Sequence, residues 1–344
     1  YGIRGKLLGW IKAFIANRSQ KVKLNNNFSK NMQVTSSVPQ GTVLAPIFFV
    51  LYINDIADVI KNCKFKLFAD DLTIYRIVNN NDDRELLQND LNSILNWANK
   101  WQLKINIDKC KILHFGNKNP QFKYSIKNIN ITTSECEKIL GCHIDTKLSF
   151  KQHIFSIIKN AKKLCNLILY TFKSYDRNIM TNLYKTFIRP ILEYASIIFS
   201  PHHLFLIDAL ENVQRHFTKR LYGLYNVSYN DRLNALNLES LEHRRMHNDL
   251  VYMYKILHNC VHVNLDCIIR SRCKTTRGNH LKLEKLHCRL DIRKHFYAFR
   301  TINLWNSLSD NVVCARSINM FINQLNNVDG AMFITRGRAL LHAV

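Results

Sequence analysis

Asp70 and Asp71 stand side by side in the run Lys66-Leu-Phe-Ala-Asp-Asp-Leu-Thr-Ile-Tyr75. Phe65, Leu67 and Ala69 before them and Leu72, Ile74, Ile77 and Val78 after them read as apolar strands, which puts the charge at the turn of a β-hairpin. Two carboxylates held together repel, and in a partly buried site one takes up a proton unless a cation neutralises the pair. Mg²⁺ answers that requirement. It takes hard oxygen ligands, keeps waters, and is bound by one or two carboxylates plus substrate phosphates, the arrangement that nucleotidyl transfer uses. Asp is also common in plain turns for local hydrogen-bonding reasons, so the doublet needs a second signal.

The segment Ser37-Val-Pro-Gln-Gly-Thr-Val-Leu-Ala-Pro-Ile-Phe-Phe-Val-Leu-Tyr-Ile-Asn-Asp55 supplies it. Pro39 and Gly41 fix a turn from which Gln40 projects, and Val43, Leu44, Ile47, Phe48, Leu51, Tyr52, Ile56 and Val59 follow at helical spacing. The expectation is a polar turn leading into a buried helix. A Pro-Gly loop capping an ordinary core helix is the plainer alternative, and the order of turn, helix and acidic hairpin speaks against it.

Around these elements the chain reads as α+β. Residues 6–15 suit a short amphipathic helix, and 20–35 suit two strands about the turn Asn25-Asn-Asn27. Residues 83–101 carry Leu86, Leu87, Leu91, Ile94, Leu95 and Ala98 at helical spacing, before a strand ending in Ile112-Leu-His-Phe115. A turn-rich junction, Gly116-Asn-Lys-Asn-Pro120, precedes a small β region that runs to about Asp145. Beyond Ser149 the pattern is helical, with apolar positions such as Ile154, Ile157, Ile158, Ala161, Leu164, Leu167 and Ile168, interrupted by Pro190 and Pro201. A further helix spans Leu241 to His258, and a Lys/Arg-rich connector runs from Arg270 to Lys294. No repeat or low-complexity tract stands out.

With these motifs in view, the chain resembles the reverse transcriptases of non-LTR retrotransposons, the jockey-like group in particular. Ser37 to Pro46 looks like the segment that contacts template and incoming nucleotide, and Phe68-Ala-Asp-Asp71 like the metal-binding box. Trp97 to Lys109 is similar to the next palm segment, and Lys138-Ile-Leu-Gly-Cys-His-Ile-Asp145 to the primer-grip region. Arg189-Pro-Ile-Leu-Glu-Tyr-Ala195 and Asn303-Leu-Trp-Asn-Ser-Leu-Ser309 resemble C-terminal signatures of the same elements. Three positions depart: Ser37 and Ala45 stand where Gly is usual or frequent, and Ser309 where Pro is common. Ser37 would restrict the backbone if its position needs positive φ.

The resemblance implies a partial polymerase palm over 1–118, a primer-grip β region and helical thumb over 119–228, and a helical C-terminal region over 229–344. It implies RNA-templated DNA synthesis with two Mg²⁺ ions, a dNTP substrate, and RNA template and DNA primer as partners. Asp70 and Asp71 would bind metal, Pro39, Gln40 and Gly41 would line the nascent base pair, and Arg18 would approach template or phosphate. Lys109 falls where the family has a lysine proposed to protonate pyrophosphate, and it reads more simply as a static countercharge. The family's third carboxylate lies on a strand before the Pro-Gln-Gly turn, whereas residues 1–54 contain no Asp or Glu. The chain opens at Tyr1 inside Gly5-Lys-Leu-Leu-Gly-Trp-Ile-Lys-Ala-Phe-Ile-Ala-Asn-Arg18, a stretch that follows that strand in the family. The expectation is therefore an N-terminally truncated enzyme, inactive alone. The rival reading is a non-catalytic nucleic-acid-binding relic of a mobile element. A host-adopted telomerase or intron maturase is disfavoured by the C-terminal matches.

Charge and composition agree with a polyanionic partner. The 344 residues hold 49 Lys and Arg against 25 Asp and Glu, a formal net charge of +24. Such a surplus favours nucleic acid and salt-sensitive binding, although ribosomal proteins and membrane faces share it. The longest apolar stretch, Ala45 to Ile53, is too short to span a bilayer, and no signal or transit pattern is visible. The ten cysteines show no disulfide framework, which suits a reduced compartment, nucleus or cytoplasm, with no disulfide partner. Cys260, Cys267, Cys273 and Cys288, with His258, His262, His280 and His287, form the tightest cluster. They miss the usual zinc spacings.

Overall fold

A computed structural model describes residues 2–173, 176–263, 268, 281–285 and 287–328. The chain divides between Ser134 and Glu135 into two compact units. Both mix helix with short strands, and among the described residues every sheet has two strands.

The first unit opens with helix α1 (Gly5–Ile15), then two nested antiparallel pairs: β1 (Arg18–Gln20) with β4 (Met32–Val34), and inside them β2 (Lys23–Leu24) with β3 (Asn27–Phe28). Asn25 adopts φ 52° in the inner turn, a left-handed conformation that Asn tolerates. Helix α2 (Ala45–Ile53) runs into a 3₁₀ turn (Asn54–Val59), and the hairpin β5 (Lys64–Phe68) and β6 (Asp71–Tyr75) follows. The long helix α3 (Asn81–Lys100) starts at Asn80, whose side chain accepts from the Asp83 N–H, with Asp82 and Asp83 in the favourable first turn. A 3₁₀ turn (Ile107–Lys109) leads to β7 (Lys111–Ile112), and β8 (Ser125–Ile126), β9 (Ile129–Asn130) and β10 (Thr132–Thr133) complete the unit. One core gathers Ile53, Ile56, Ile60, Ile94, Trp97 and Ala98 against the inner face of the hairpin, and a second gathers Tyr124, Ile126 and Ile131.

Three expectations need correction here. Helix α2 is not buried: only Ala45 and Ile53 are, while Val50 and Ile47 are each 52 % exposed and Val43, in the preceding turn, is 88 % exposed. The segment is apolar all round, and the core beneath it covers one side only. The strand expected through Phe115 stops at Ile112, because its parallel partner β10 is itself two residues long. Ile77 is 80 % exposed, since β6 ends at Tyr75 where its partner strand begins at Lys64.

The second unit begins with the hairpin β11 (Cys136–Ile139) and β12 (Cys142–Asp145). Asp145 closes it onto helix α4 (Lys151–Thr171) by accepting from the N–H groups of Lys147, Ser149 and Phe150, which holds Phe150 at φ 53°. Helix α5 (Arg177–Leu183) continues through a π turn (Tyr184–Ile188) into α6 (Arg189–Glu193). Pro190 explains the π turn: it cannot donate to the carbonyl four residues back, and the Arg189 N–H reaches the Tyr184 carbonyl instead. Then come α7 (Ser196–Phe199), α8 (Leu204–Lys219), α9 (Tyr229–Leu236), α10 (Leu241–Leu257), α11 (Asp291–Lys294), α12 (Tyr297–Asn306), α13 (Asp310–Val313) and α14 (Ile318–Asn326).

One core packs Ile154, Ala161 and Cys165 of α4 against Tyr184, Ile188, Leu192, Leu210, Val213 and Phe217, and another surrounds Met253, Trp305 and Phe321. Leu167, one of the apolar positions of α4, is 59 % exposed because it falls off the stripe formed by Ile154, Ile158, Ala161, Cys165 and Ile168. Of the Cys/His cluster, Cys267, Cys273 and His280 lie outside the described residues, as does about half of the basic connector. Among the described residues, no helix is long and apolar enough to cross a membrane.

Candidate active site

The hairpin alternates as a half-buried pair should. Phe65, Leu67, Leu72 and Ile74 pack inward, while Lys64, Lys66, Phe68, Asp71, Thr73 and Tyr75 face outward. Phe68 pairs with Asp71, so the turn consists of Ala69 and Asp70, with Ala69 at φ 51°. Asp70 thus sits at the tip and Asp71 on the outward face of the first rung. Both are exposed, so solvent screens their repulsion instead of burial magnifying it. Among the described residues no Lys or Arg forms an ion pair with either, and no three His, Cys, Asp or Glu side chains gather into a metal-binding group. Two hard oxygen donors unspent on protein cations fit a divalent ion whose other ligands come from water and phosphate.

Helix α3 holds both ends of this hairpin. Asp90, 1 % exposed, accepts from the backbone N–H groups of Lys61 (3.2 Å), Asn62 (2.8 Å) and Cys63 (2.7 Å), and from the Asn62 side-chain amide (2.9 Å). Burial pushes the Asp90 carboxyl up, but these donors outweigh it and hold the group below the usual carboxylate range. The same environment pushes the Cys63 thiol to about 12, through burial first and its hydrogen bond with Asp90 second. Where β6 leaves the hairpin, beside the same base, Arg76 bonds the Asn62 carbonyl and pairs with Asp83 at 2.9 Å, and Asp83 also accepts from the Asn79 N–H. Sequence reasoning missed this clamp. Its signal was present: Asp90 interrupts the apolar stripe of Leu87, Leu91, Ile94 and Trp97, where a charge must be satisfied internally.

The upstream turn takes the expected shape. Gly41 has φ 80°, the Thr42 hydroxyl donates to the Pro39 carbonyl at 2.9 Å, and Gln40 is exposed. Ser37 does adopt positive φ, 70°. Arg18 braces the loop, donating to the Ile15 carbonyl at 2.7 Å and to the carbonyls of Ser36 and Ser37. Asp55, the first acid of the chain, accepts from the Trp97 indole at 3.0 Å and so ties the turn–helix segment to α3. Lys109 ends the 3₁₀ turn with an exposed side chain, its N–H bonded to Asn106. Among the described residues, no hydrogen bond or ion pair joins Lys109, Gln40 or Arg18 to Asp70 or Asp71; the turn and the hairpin are related through the core that α2 and β5–β6 share.

Residues 1–144 match the family model described as reverse transcriptase (RNA-dependent DNA polymerase). The chain resembles the reverse transcriptases of non-LTR mobile elements. It is 27 % identical over 217 residues to a probable RNA-directed DNA polymerase from transposon X-element of Drosophila melanogaster, covering 59 % of this chain and 24 % of that protein. To the RNA-directed DNA polymerase from mobile element jockey of Drosophila melanogaster it is 22 % identical over 230 residues, 62 % of this chain and 25 % of the relative. An uncharacterized Caenorhabditis elegans protein, B0403.1, is 30 % identical over 110 residues, 31 % of this chain and 56 % of its own length. The chain thus spans about a quarter of the X-element and jockey relatives. No solved structure matches. The acidic hairpin and the Pro-Gln-Gly turn both fall inside the matched reverse-transcriptase segment.

Other family-like motifs make specific bonds, in one case to one another. The Tyr194 hydroxyl, from Arg189–Ala195, donates to the Leu140 carbonyl of the β11–β12 turn at 2.8 Å. Within Asn303–Ser309, the Trp305 indole donates to the Leu281 carbonyl, and Asn306 both accepts from and donates to the Leu283 backbone.

Proposed function

We propose that the chain contributes the metal-binding hairpin and nucleotide-contacting turn of an RNA-directed DNA polymerase. In this reading residues 1–118 belong to the palm, 119–228 to the primer grip and thumb, and 229–344 to a helical C-terminal region. The observation that carries it is the two-residue turn that sets Asp70 and Asp71 side by side, outward and, among the described residues, in no ion pair with a protein cation, on a hairpin clamped at its base where its strands begin and end. The reaction is attack of a primer 3′ hydroxyl on the α-phosphate of a dNTP opposite an RNA template, with pyrophosphate leaving.

Asp70 and Asp71 would hold Mg²⁺, in a two-metal arrangement completed by groups other than this pair. The chemistry a divalent cation supplies there is Lewis-acid stabilisation of charge on phosphoryl oxygens. Gln40 presents its amide to the nascent base pair, and Gly41, without a Cβ, lets the backbone approach it. Arg18 fixes the loop that carries Gln40. Lys109 contributes a positive charge to the polyphosphate.

The test is Mg²⁺-dependent extension of a DNA primer on an RNA template, by this chain and by any longer polymerase that contains it. Extension lost on Asp71→Asn with nucleic-acid binding retained supports the reading, and undiminished extension overturns it. The alternative, nucleic-acid binding without synthesis, draws its support from the +24 net charge, and predicts template binding with no dNTP-dependent product.

A further inference from the structure

The loop between α8 and α9 reads Lys219-Arg-Leu-Tyr-Gly-Leu-Tyr225, and its residues alternate between the core and the surface with a period of three. Leu221 and Leu224 are 4 % and 2 % exposed and belong to the helical core, whereas Tyr222 and Tyr225 are 64 % and 68 % exposed. Successive turns, with Leu224 N–H bonded to the Leu221 carbonyl and Val227 N–H to the Leu224 carbonyl, hold this alternation in place. At its centre Gly223 has φ 70°, and a Cβ there would lie 2.5 Å from Nη2 of Arg177, whose Nε donates to the Tyr222 carbonyl at 2.9 Å. Two buried leucines therefore anchor a tight loop that presents two phenol rings to solvent.

The charge around those rings is mainly positive. Lys219, Arg220 and Arg177 are all exposed, and the Lys219 ammonium lies 4.8 Å over the Tyr225 ring. No Asp or Glu occurs between Asn212 and Asn230. The nearby Asp176 carboxylate accepts from the Asn178 N–H. A polyanion is the complementary partner for such a surface. The rings narrow the choice, because a flat aromatic face offers stacking to a base only when that base is unstacked from its own strand; duplex DNA or RNA would meet the cations alone.

We infer that Tyr222 and Tyr225, flanked by Arg177, Lys219 and Arg220, form a stacking platform for single-stranded nucleic acid. This site lies beyond the residues matched by the family model and does not rest on the polymerase reading.

The experiment measures binding of the full chain to a fluorescent single-stranded oligonucleotide, as RNA and as DNA, and to a duplex of equal length across a salt series. Stacking on an aromatic ring predicts that Tyr222→Ala and Tyr225→Ala each weaken single-strand binding by roughly 5-fold to 150-fold, with little change for the duplex. Tyr→Phe at both positions should retain affinity. Lys219→Gln with Arg220→Gln should lower the salt slope by about 1.4, while the Tyr→Ala variants leave the slope in place. Photocrosslinking with a 4-thiouridine strand should label the tryptic peptide Leu221–Arg232. Undiminished single-strand binding by the double Tyr→Ala variant, equal losses for strand and duplex, or crosslinks confined elsewhere would overturn the platform. These readouts need neither metal nor dNTP, so absence of primer extension would leave the platform standing and the two proposals fail separately.

Discussion

Asn62 and Asp90 are joined twice, Asn62 backbone N–H to Oδ2 at 2.8 Å and its side-chain amide to Oδ1 at 2.9 Å, across the junction between the loop before β5 and helix α3. With Asn62 also accepting from Arg76, which pairs with Asp83 seven residues before Asp90, one face of α3 fixes where the hairpin begins and where it ends. The placement of Asp70 and Asp71 is therefore inherited from a helix that carries neither.

Replacing Asp90 with Asn should destabilise the protein by about 2–4 kcal/mol, because a buried amide cannot accept from all the donors the carboxylate satisfies. Thermal unfolding measures it. The Asp90 carboxyl is held below the usual carboxylate range, so its contribution is complete above about pH 4 and is lost as pH falls through its lower native value. Asp90→Asn should accordingly flatten the acid side of the stability profile. An unchanged profile would show that the clamp contributes nothing.

Much of this arrangement was legible in the residues, for identifiable reasons. The hairpin, α3 and the helices after Ser149 follow from period-2 and period-3.6 apolar spacing that one-sided burial enforces. The Pro39–Gly41 turn follows from residues with few backbone options. What escaped was set by tertiary context. Helix α2 is apolar on every side, so spacing alone cannot say which side is covered. The end of β7 depends on the length of β10, which is remote in sequence. Asp90 stands out as a charge within the apolar stripe of α3, but the donors that satisfy it lie on a loop 27 to 29 residues away, which spacing cannot identify.

Gly141 adopts φ 86° in the β11–β12 turn, and a Cβ there would meet the Tyr194 ring at 3.2 Å. Gly141→Ala should cost about 1–2 kcal/mol from the left-handed backbone, with the displaced ring adding to it. Tyr194→Phe should cost about 1 kcal/mol by removing the bond to the Leu140 carbonyl. Chemical denaturation of the two single variants and the double variant reads both losses, and strictly additive losses would show that ring and turn are not coupled.

His153, 1 % exposed, accepts from the His143 N–H through Nδ1 and meets Phe199 edge-on, so it is held neutral. Burial, with the charges of His143 and Lys138, depresses it to about 4. The unfolded chain then binds a proton that the native state refuses, and stability falls with pH between about 6.5 and 4 by about 1.4 kcal/mol per unit. His202, depressed to about 4 by burial and its histidine neighbours, acts in the same window. His153→Gln should reduce the slope, measured by unfolding from pH 7 to 4. A slope identical to that of the parent chain would assign the loss to other groups.

The central claim, that Asp70 and Asp71 hold a divalent cation, is tested most directly by iron-mediated backbone cleavage. With Fe²⁺, ascorbate and peroxide, the chain should be cut around residues 68–72. Excess Mg²⁺ should suppress the cut, and Asp70→Asn with Asp71→Asn should abolish it. Cleavage that persists in the double variant, or none at the hairpin in the parent chain, would contradict the claim.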